Sequence, residues 1–303
     1  MSDTPNSSLS TGLSLWLAGA RPKTLPAAVV PVAVGAGVAI GTGDPVGDGM
    51  VWWRVVAALV VSLLLQVGVN YANDYSDGVR GTDDDRVGPL RLVASGAASP
   101  SSVKLAAYAA LGLAGLVGLA LAATTSWWLL LVGALAILAA WGYTGGPAPY
   151  GYFGLGELFV FVFFGLVATV GTTYVAIEEV PGITWVAATG VGFLACSLLV
   201  VNNLRDIPSD TDAGKRTLAV RLGERWTRRL YAGLVVGAFL CAAVAAGARE
   251  WSLLAIGALA IGREPVRQVL SNVGGPALIP VLVATGRTQL AYGALFAIGL
   301  AIG

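Results

Sequence analysis

Histidine is absent from all 303 residues. Any mechanism built on an imidazole base or a histidine-bound metal is therefore excluded. Charge is scarce too. Asp, Glu, Lys and Arg make up 12% of the chain, against roughly a quarter in soluble domains. A net charge of +1, with no basic face interleaved with aromatics, gives nucleic acid nothing to bind. The two cysteines, Cys196 and Cys241, lie far apart inside apolar runs and read as small buried hydrophobes rather than a disulfide. Short alternating segments are missing, which argues against a β-barrel. The opening MSDTPNSSLSTG lacks the basic and apolar regions of a signal peptide, and residues 1–15 are expected to form a disordered cytoplasmic tail.

What remains is apolar. Hydrophobic residues make up 56% of the chain, and the mean hydropathy is +0.77. The expected fold is an all-α integral membrane protein, a single polytopic domain over 16–303. A hydrocarbon core of about 30 Å takes roughly 20 apolar residues per helix. On that measure nine transmembrane helices are expected around a central cavity: 24–41, 51–73, 103–123, 127–143, 157–177, 183–204, 229–247, 251–268 and 287–303. Pro26 and Pro31 should kink the first. Arg263, Glu264 and Arg267 weaken the eighth. With the N-terminus cytoplasmic, sixteen of the 18 Lys and Arg residues fall inside, and only Arg54 and Arg249 fall outside.

Aspartates gather on that same side, in expected loops at 74–102 and 205–228. NYANDYSDGVRGTDDDRVGPLRLVASG (70–96) carries Asp74, Asp77, Asp83, Asp84 and Asp85. NNLRDIPSDTDAGKRTLAVRLG (202–223) carries Asp206, Asp210 and Asp212. Each follows a long apolar run, and each sets an Asp four residues after an Asn: Asn70 to Asp74, and Asn202 to Asp206. Residues three and four apart share a helix face, so Asn70, Asn73, Asp74 and Asp77 form one stripe, and Asp206 and Asp210 another, distorted by Pro208. Carboxylates stacked a turn apart repel one another, and a cation relieves that repulsion. Paired hard oxygen donors suit Mg²⁺, which takes one or two carboxylates and fills its shell with water and phosphate oxygens. The alternative is a plain solvated acidic loop. Against it stand Asn70 and Asn202, a turn deeper, where polar groups in a span are functional by default. Arg80, Arg86 and Arg91 follow the first module, and Lys215 and Arg216 the second. Acid pairs and cations beneath an apolar cavity describe a receptor for a lipid diphosphate.

These motifs resemble the UbiA-type superfamily of intramembrane prenyltransferases, which has NDxxD near the end of the second helix and DxxxD near the end of the sixth. Here they read Asn73-Asp74-x-x-Asp77 and Asp206-x-x-x-Asp210. ARPKTLPAAVVPV (20–32), YTGGPAPYGYFGLGE (143–157) and GPALIPVL (275–282) look like the 1,4-dihydroxy-2-naphthoate prenyltransferase branch of menaquinone synthesis. The resemblance implies transfer of a polyprenyl group from polyprenyl diphosphate to 1,4-dihydroxy-2-naphthoate with loss of CO2, giving demethylmenaquinone, in a bacterial inner membrane with the site facing the cytoplasm. It implies two Mg²⁺ ions on Asn73, Asp74, Asp77, Asp206 and Asp210. Lys23, Asn70, Arg86, Arg91, Tyr143, Asn202, Asn203, Lys215 and Arg216 would line the substrates. Tyr143 and Phe153 could steady an allylic cation, while Tyr150 and Tyr152 are expected in an interfacial belt. Two departures stand out. Gly81 replaces a further Asp seen in other branches, and GGPAPYG follows Tyr143 without the basic residues of 4-hydroxybenzoate enzymes.

Three other readings compete. Another aromatic acceptor is one. The second is a CDP-alcohol phosphotransferase, whose signature matches Asp74-x-x-Asp77-Gly78 but then requires an Ala-Arg pair that is missing here. The third is a cation-coupled transporter, whose acids belong near the midplane rather than at one face.

Overall fold

The computed structural model describes residues 12–43, 45–81, 90–271 and 273–303. All regular structure among them is helical. In chain order the helices are α1 (Gly12–Gly19), α2 (Pro26–Ile40), α3 (Trp52–Arg80), α4 (Pro100–Thr124), α5 (Trp128–Gly142), α6 (Gly156–Val160), α7 (Ala168–Ile177), α8 (Gly182–Arg205), α9 (Ile207–Asp212), α10 (Leu218–Ala245), α11 (Leu259–Leu270) and α12 (Leu278–Ile302). A π-helical stretch, Phe161–Val167, joins α6 to α7 into one rod.

Local chemistry sets the ends. Ser99 caps α4, its hydroxyl accepting from the Ser102 amide at 3.2 Å, and Pro100 occupies the first turn. Gly81, at φ 69°, closes α3 in the left-handed conformation that glycine adopts without strain. Gly223, at φ 72° and ψ 167°, breaks α10 near its start.

Six helices are long and apolar enough to cross a membrane, and seven if the bent pair Gly12–Thr24 and Pro26–Ile40 counts as one span. The protein is thus a multi-pass membrane protein, but the nine expected spans do not hold among the described residues. Length explains the difference. α2 and α5 have 15 residues each, and a rise of about 1.5 Å per residue gives only ~22 Å. The expected 251–268 span divides into a 3₁₀ stretch, Glu250–Ala258, and α11, which carries Arg263, Glu264, Arg267 and Pro265. The first span does bend, by 55°. The break falls before Pro26, which opens α2, while Pro31 lies inside a continuous helix. Residues 12–15 of the expected tail are helical, since α1 begins at Gly12, and residues 1–11 lie outside the described ones. Both acidic segments are partly helical, because α3 runs on to Arg80 and α9 forms within 205–228.

α8 packs on α10, α3 on α4, and α12 on α2. Val34, Val38, Val191, Leu194, Tyr292 and Phe296 are central to the core. Lipid tails are as apolar as leucine, so close backbone approach drives much of this packing. A Cβ on Gly165 would lie 2.6 Å from the Gly192 Cα of α8. Gly165→Ala should therefore cost about 1–3 kcal/mol through overpacking and lower the thermal midpoint in detergent. Gly112 has nothing within 4 Å of an added Cβ, so Gly112→Ala should leave it unchanged. Equal midpoints for the two variants would contradict the close contact.

Candidate active site

The C-terminal half of α3 turns polar while staying buried: Gln66, Asn70, Asn73, Asp74 and Asp77 all lie below a tenth exposed. Buried polar groups need partners, and each residue of the stripe finds one. The Asn70 amide donates to the Ala20 carbonyl at 2.8 Å and to the Thr24 hydroxyl at 2.9 Å. Gln66 donates to the same hydroxyl at 3.1 Å. Asn70 thus fastens α3 to the chain entering α2. Asn73 Oδ1 accepts from the Thr144 hydroxyl at 2.6 Å. Asp74 is wholly buried. Its Oδ2 accepts from the Leu92 amide at 2.8 Å and its Oδ1 from the Val93 amide at 3.0 Å.

Asp77 is the meeting point. Its Oδ1 accepts from the Tyr152 hydroxyl at 2.8 Å and from Lys215 Nζ at 3.3 Å. Arg91 Nη2 stands 4.0 Å from its Oδ2. Lys215 also sits over the Tyr152 ring, 4.7 Å from the centroid. The first acidic module is therefore joined to the second across 138 residues of sequence. Burial pulls the Lys215 ammonium down, but Asp77, Tyr152 and Asp210 together outweigh it and hold it above the ordinary lysine value. Lys215 is a fixed cation at neutral pH.

The second module breaks at Asp206 (φ −94°, ψ 6°), two residues before Pro208, which takes the early position in α9 that proline favours. Arg205 forks onto Asp206, Nε to Oδ1 at 2.6 Å and Nη2 to Oδ2 at 2.7 Å, and its Nη2 also donates to Asn202 Oδ1 at 2.9 Å. The Asp210 amide donates to the Asp206 carbonyl at 2.8 Å, and the Lys215 amide to the Asp210 carbonyl at 2.7 Å. One turn before Asp206, Asn203 Nδ2 donates to Glu157 Oε1 at 3.0 Å.

The glycine-rich connection between α5 and α6 folds over this cluster. Arg80 donates to the Thr144 and Gly146 carbonyls and lies 5.5 Å from the Tyr152 ring centroid. A Cβ on Gly151 would lie 2.7 Å from the Tyr143 carbonyl oxygen, so only glycine permits that approach. Burial pushes the Tyr143 phenol well up, and Glu157, Tyr150, Asp77 and Asp210 add in the same direction. Both acidic modules are thus within electrostatic reach of Tyr143.

Asn73, Asp77, Tyr143, Arg91 and Lys215 therefore come together, with Asp206, Asp210, Asn202 and Asn203 on the facing helix end. Lys23 and Arg216 are exposed, and the Arg216 amide donates to the Tyr152 carbonyl at 2.9 Å. Arg86 and Asp83, Asp84 and Asp85 lie outside the described residues. Sequence reasoning missed Glu157, Thr144 and the Arg205 fork, and it placed Tyr152 in a belt rather than on Asp77. For Glu157 a signal existed: it is an ionisable residue opening an apolar run.

The description "UbiA prenyltransferase family" matches residues 28–270, most of the chain. The chain belongs to that family. This UbiA prenyltransferase is 49% identical to a 1,4-dihydroxy-2-naphthoate octaprenyltransferase of Mycobacterium tuberculosis, over 95% of this chain and 97% of the relative. It is 48% identical to the Mycobacterium leprae protein of the same description, over 91% and 92%. A UbiA homolog from Archaeoglobus fulgidus, solved bound to DMAPP and Mg2+, shares its fold with a TM-score of 0.59 at 19% identity, covering 93% of this chain and 99% of that one. Membership in the family removes the phosphotransferase and transporter alternatives.

For a divalent cation the donor chemistry of this prenyltransferase fits in one mode. No three Asp, Glu or Cys side chains converge among the described residues, so an all-protein cage is not formed. Hard oxygens on two facing helix ends suit an ion that takes one or two carboxylates and completes its shell with phosphate and water.

Proposed function

We propose that this UbiA prenyltransferase transfers a polyprenyl group from polyprenyl diphosphate to 1,4-dihydroxy-2-naphthoate, with loss of CO2, to give demethylmenaquinone. It does so with two Mg²⁺ ions, in a bacterial inner membrane, with the site facing the cytoplasm and the prenyl tail among the helices and membrane lipid. The observation that carries the chemistry is Asp77, where both acidic modules, two cations and a tyrosine hydroxyl meet beneath apolar helices. The acceptor rests on the near-full-length likeness to the mycobacterial relatives.

Asn73, Asp77, Asp206 and Asp210 are the candidates to hold Mg²⁺, which when bound neutralises the diphosphate and makes it a better leaving group. Lys215 and Arg91 bind phosphate oxygens through charge-assisted hydrogen bonds. Asp74, whose two oxygens already hold backbone amides, acts on the segment that carries Arg91. Tyr143 presents an aromatic face near the charged cluster, where positive charge develops on the allylic carbon.

Purified protein given labelled polyprenyl diphosphate should form product only with the dihydroxynaphthoate. Activity should fall to background in EDTA and return with Mg²⁺, and the product mass should lack the carboxyl group. Turnover unaffected by EDTA, or a product retaining the carboxyl, contradicts this reading.

A further inference from the structure

Glu157 opens α6 and is 8% exposed. One oxygen accepts from Asn203, while the other, Oε2, is buried with no hydrogen-bond partner. Leaving a buried carboxyl oxygen without a hydrogen-bond partner is costly. An acid at a helix start gains a little from the helix dipole, but a surface residue would gain that without the desolvation. The neighbourhood explains the position better. Asp77 is held by Lys215, Arg91 and Tyr152, Asp206 by the Arg205 fork, and Asp74 by two amides. Glu157 keeps an oxygen in hand beside them. Tyr143 ties it to the cluster: a Cβ on the adjoining Gly156 would lie 3.3 Å from the Tyr143 ring. Tyr143 meets Tyr150 edge-on at 5.6 Å, and Tyr150 stacks on Phe159 at 3.9 Å, which makes an aromatic wall beside Glu157.

From this geometry we infer that Glu157 is the base that takes the ring-hydroxyl proton of the aromatic acceptor. The inference rests on the function proposed above. As Oε2 accepts the proton of the hydroxyl beside the ring carboxylate, the carbon bearing that carboxylate bonds to the allylic carbon. The allylic C–O bond breaks, and diphosphate departs with its electron pair. The ring is then a ketone with a carboxylate on the adjacent carbon. Loss of CO2 sends the C–C electron pair to the ketone oxygen, which takes the proton back from Glu157. The carboxylate is restored, and no oxidant or reductant is needed.

Glu157→Gln keeps an oxygen for Asn203 and removes the base. The expected result is a kcat about 100-fold lower, with the KM for prenyl diphosphate within twofold and the thermal midpoint retained. The deficit should shrink for ring-fluorinated acceptors, whose hydroxyl arrives already ionised; a structural role would not respond to acceptor acidity. A rate within threefold of wild type, or a deficit that is the same for every acceptor, overturns the inference. Should E157Q not fold, E157D, with its carboxylate drawn back by one methylene, is read by the same acidity comparison. Failure of the underlying reading looks different: the wild type then makes no product from dihydroxynaphthoate.

Discussion

Asp77→Asn should reduce kcat/KM by about a thousandfold while costing about 3–5 kcal/mol of stability, the usual result of leaving a buried charge without its partner. Asp77 is 3% exposed and Lys215 9%, so neither ion can turn to water when the other is lost. The amide still accepts from Tyr152, which keeps the aromatic contact in place. It cannot balance Lys215 and Arg91, and it is a weaker donor to a divalent cation. Adding Lys215→Met separates the two effects. The double variant D77N/K215M no longer buries an unpaired ammonium and should recover much of the thermal midpoint. It should recover none of the activity, because both a candidate metal donor and a proposed phosphate-binding cation are gone. Thermal unfolding and single-turnover prenyl transfer on the four proteins of this cycle measure both terms. Activity returning together with stability would mean that Asp77 serves folding alone.

The second large effect concerns Asp74. Asp74→Ala removes the acceptor of two backbone amides, those of Leu92 and Val93, at about 1–3 kcal/mol for each buried donor left unpaired. The segment they hold is packed tightly, since a Cβ on Gly78 would lie 2.6 Å from the Val93 side chain. Releasing it moves Arg91, the residue before Leu92, away from Asp77. The KM for prenyl diphosphate should then rise about tenfold, which corresponds to about 1.4 kcal/mol and matches the scale of one charged hydrogen bond. The Mg²⁺ concentration for half-maximal rate should stay where it is. A marked rise in that concentration would identify Asp74 as a metal donor instead.

How much of this could be read without coordinates differs from residue to residue. The Asn73-Asp74-x-x-Asp77 stripe was legible because helix periodicity puts such residues on one face, and α3 does continue through them to Arg80. Their division of labour was not legible. Asp74 and Asp77 are the same residue type three positions apart, and only the chain folding back at Leu92 and Val93 claims one while leaving the other for Lys215. The span count failed for a related reason. A hydropathy window registers apolar content, but crossing a membrane also needs uninterrupted helix length, and that is set where the chain bends before Pro26 and where a 3₁₀ stretch precedes α11.

Composition and motif alone therefore determined that this is an all-helical membrane protein of the UbiA kind with two acidic modules and cations beside them. These follow from local sums and short spacings, which sequence preserves. Tertiary structure decided that Lys215 and Tyr152 close on Asp77, that Arg205 occupies Asp206, and that Glu157 keeps a buried oxygen beside Tyr143. The partner of a buried charge is whichever group packing brings within about 3 Å, and a separation of 138 residues carries no record of it.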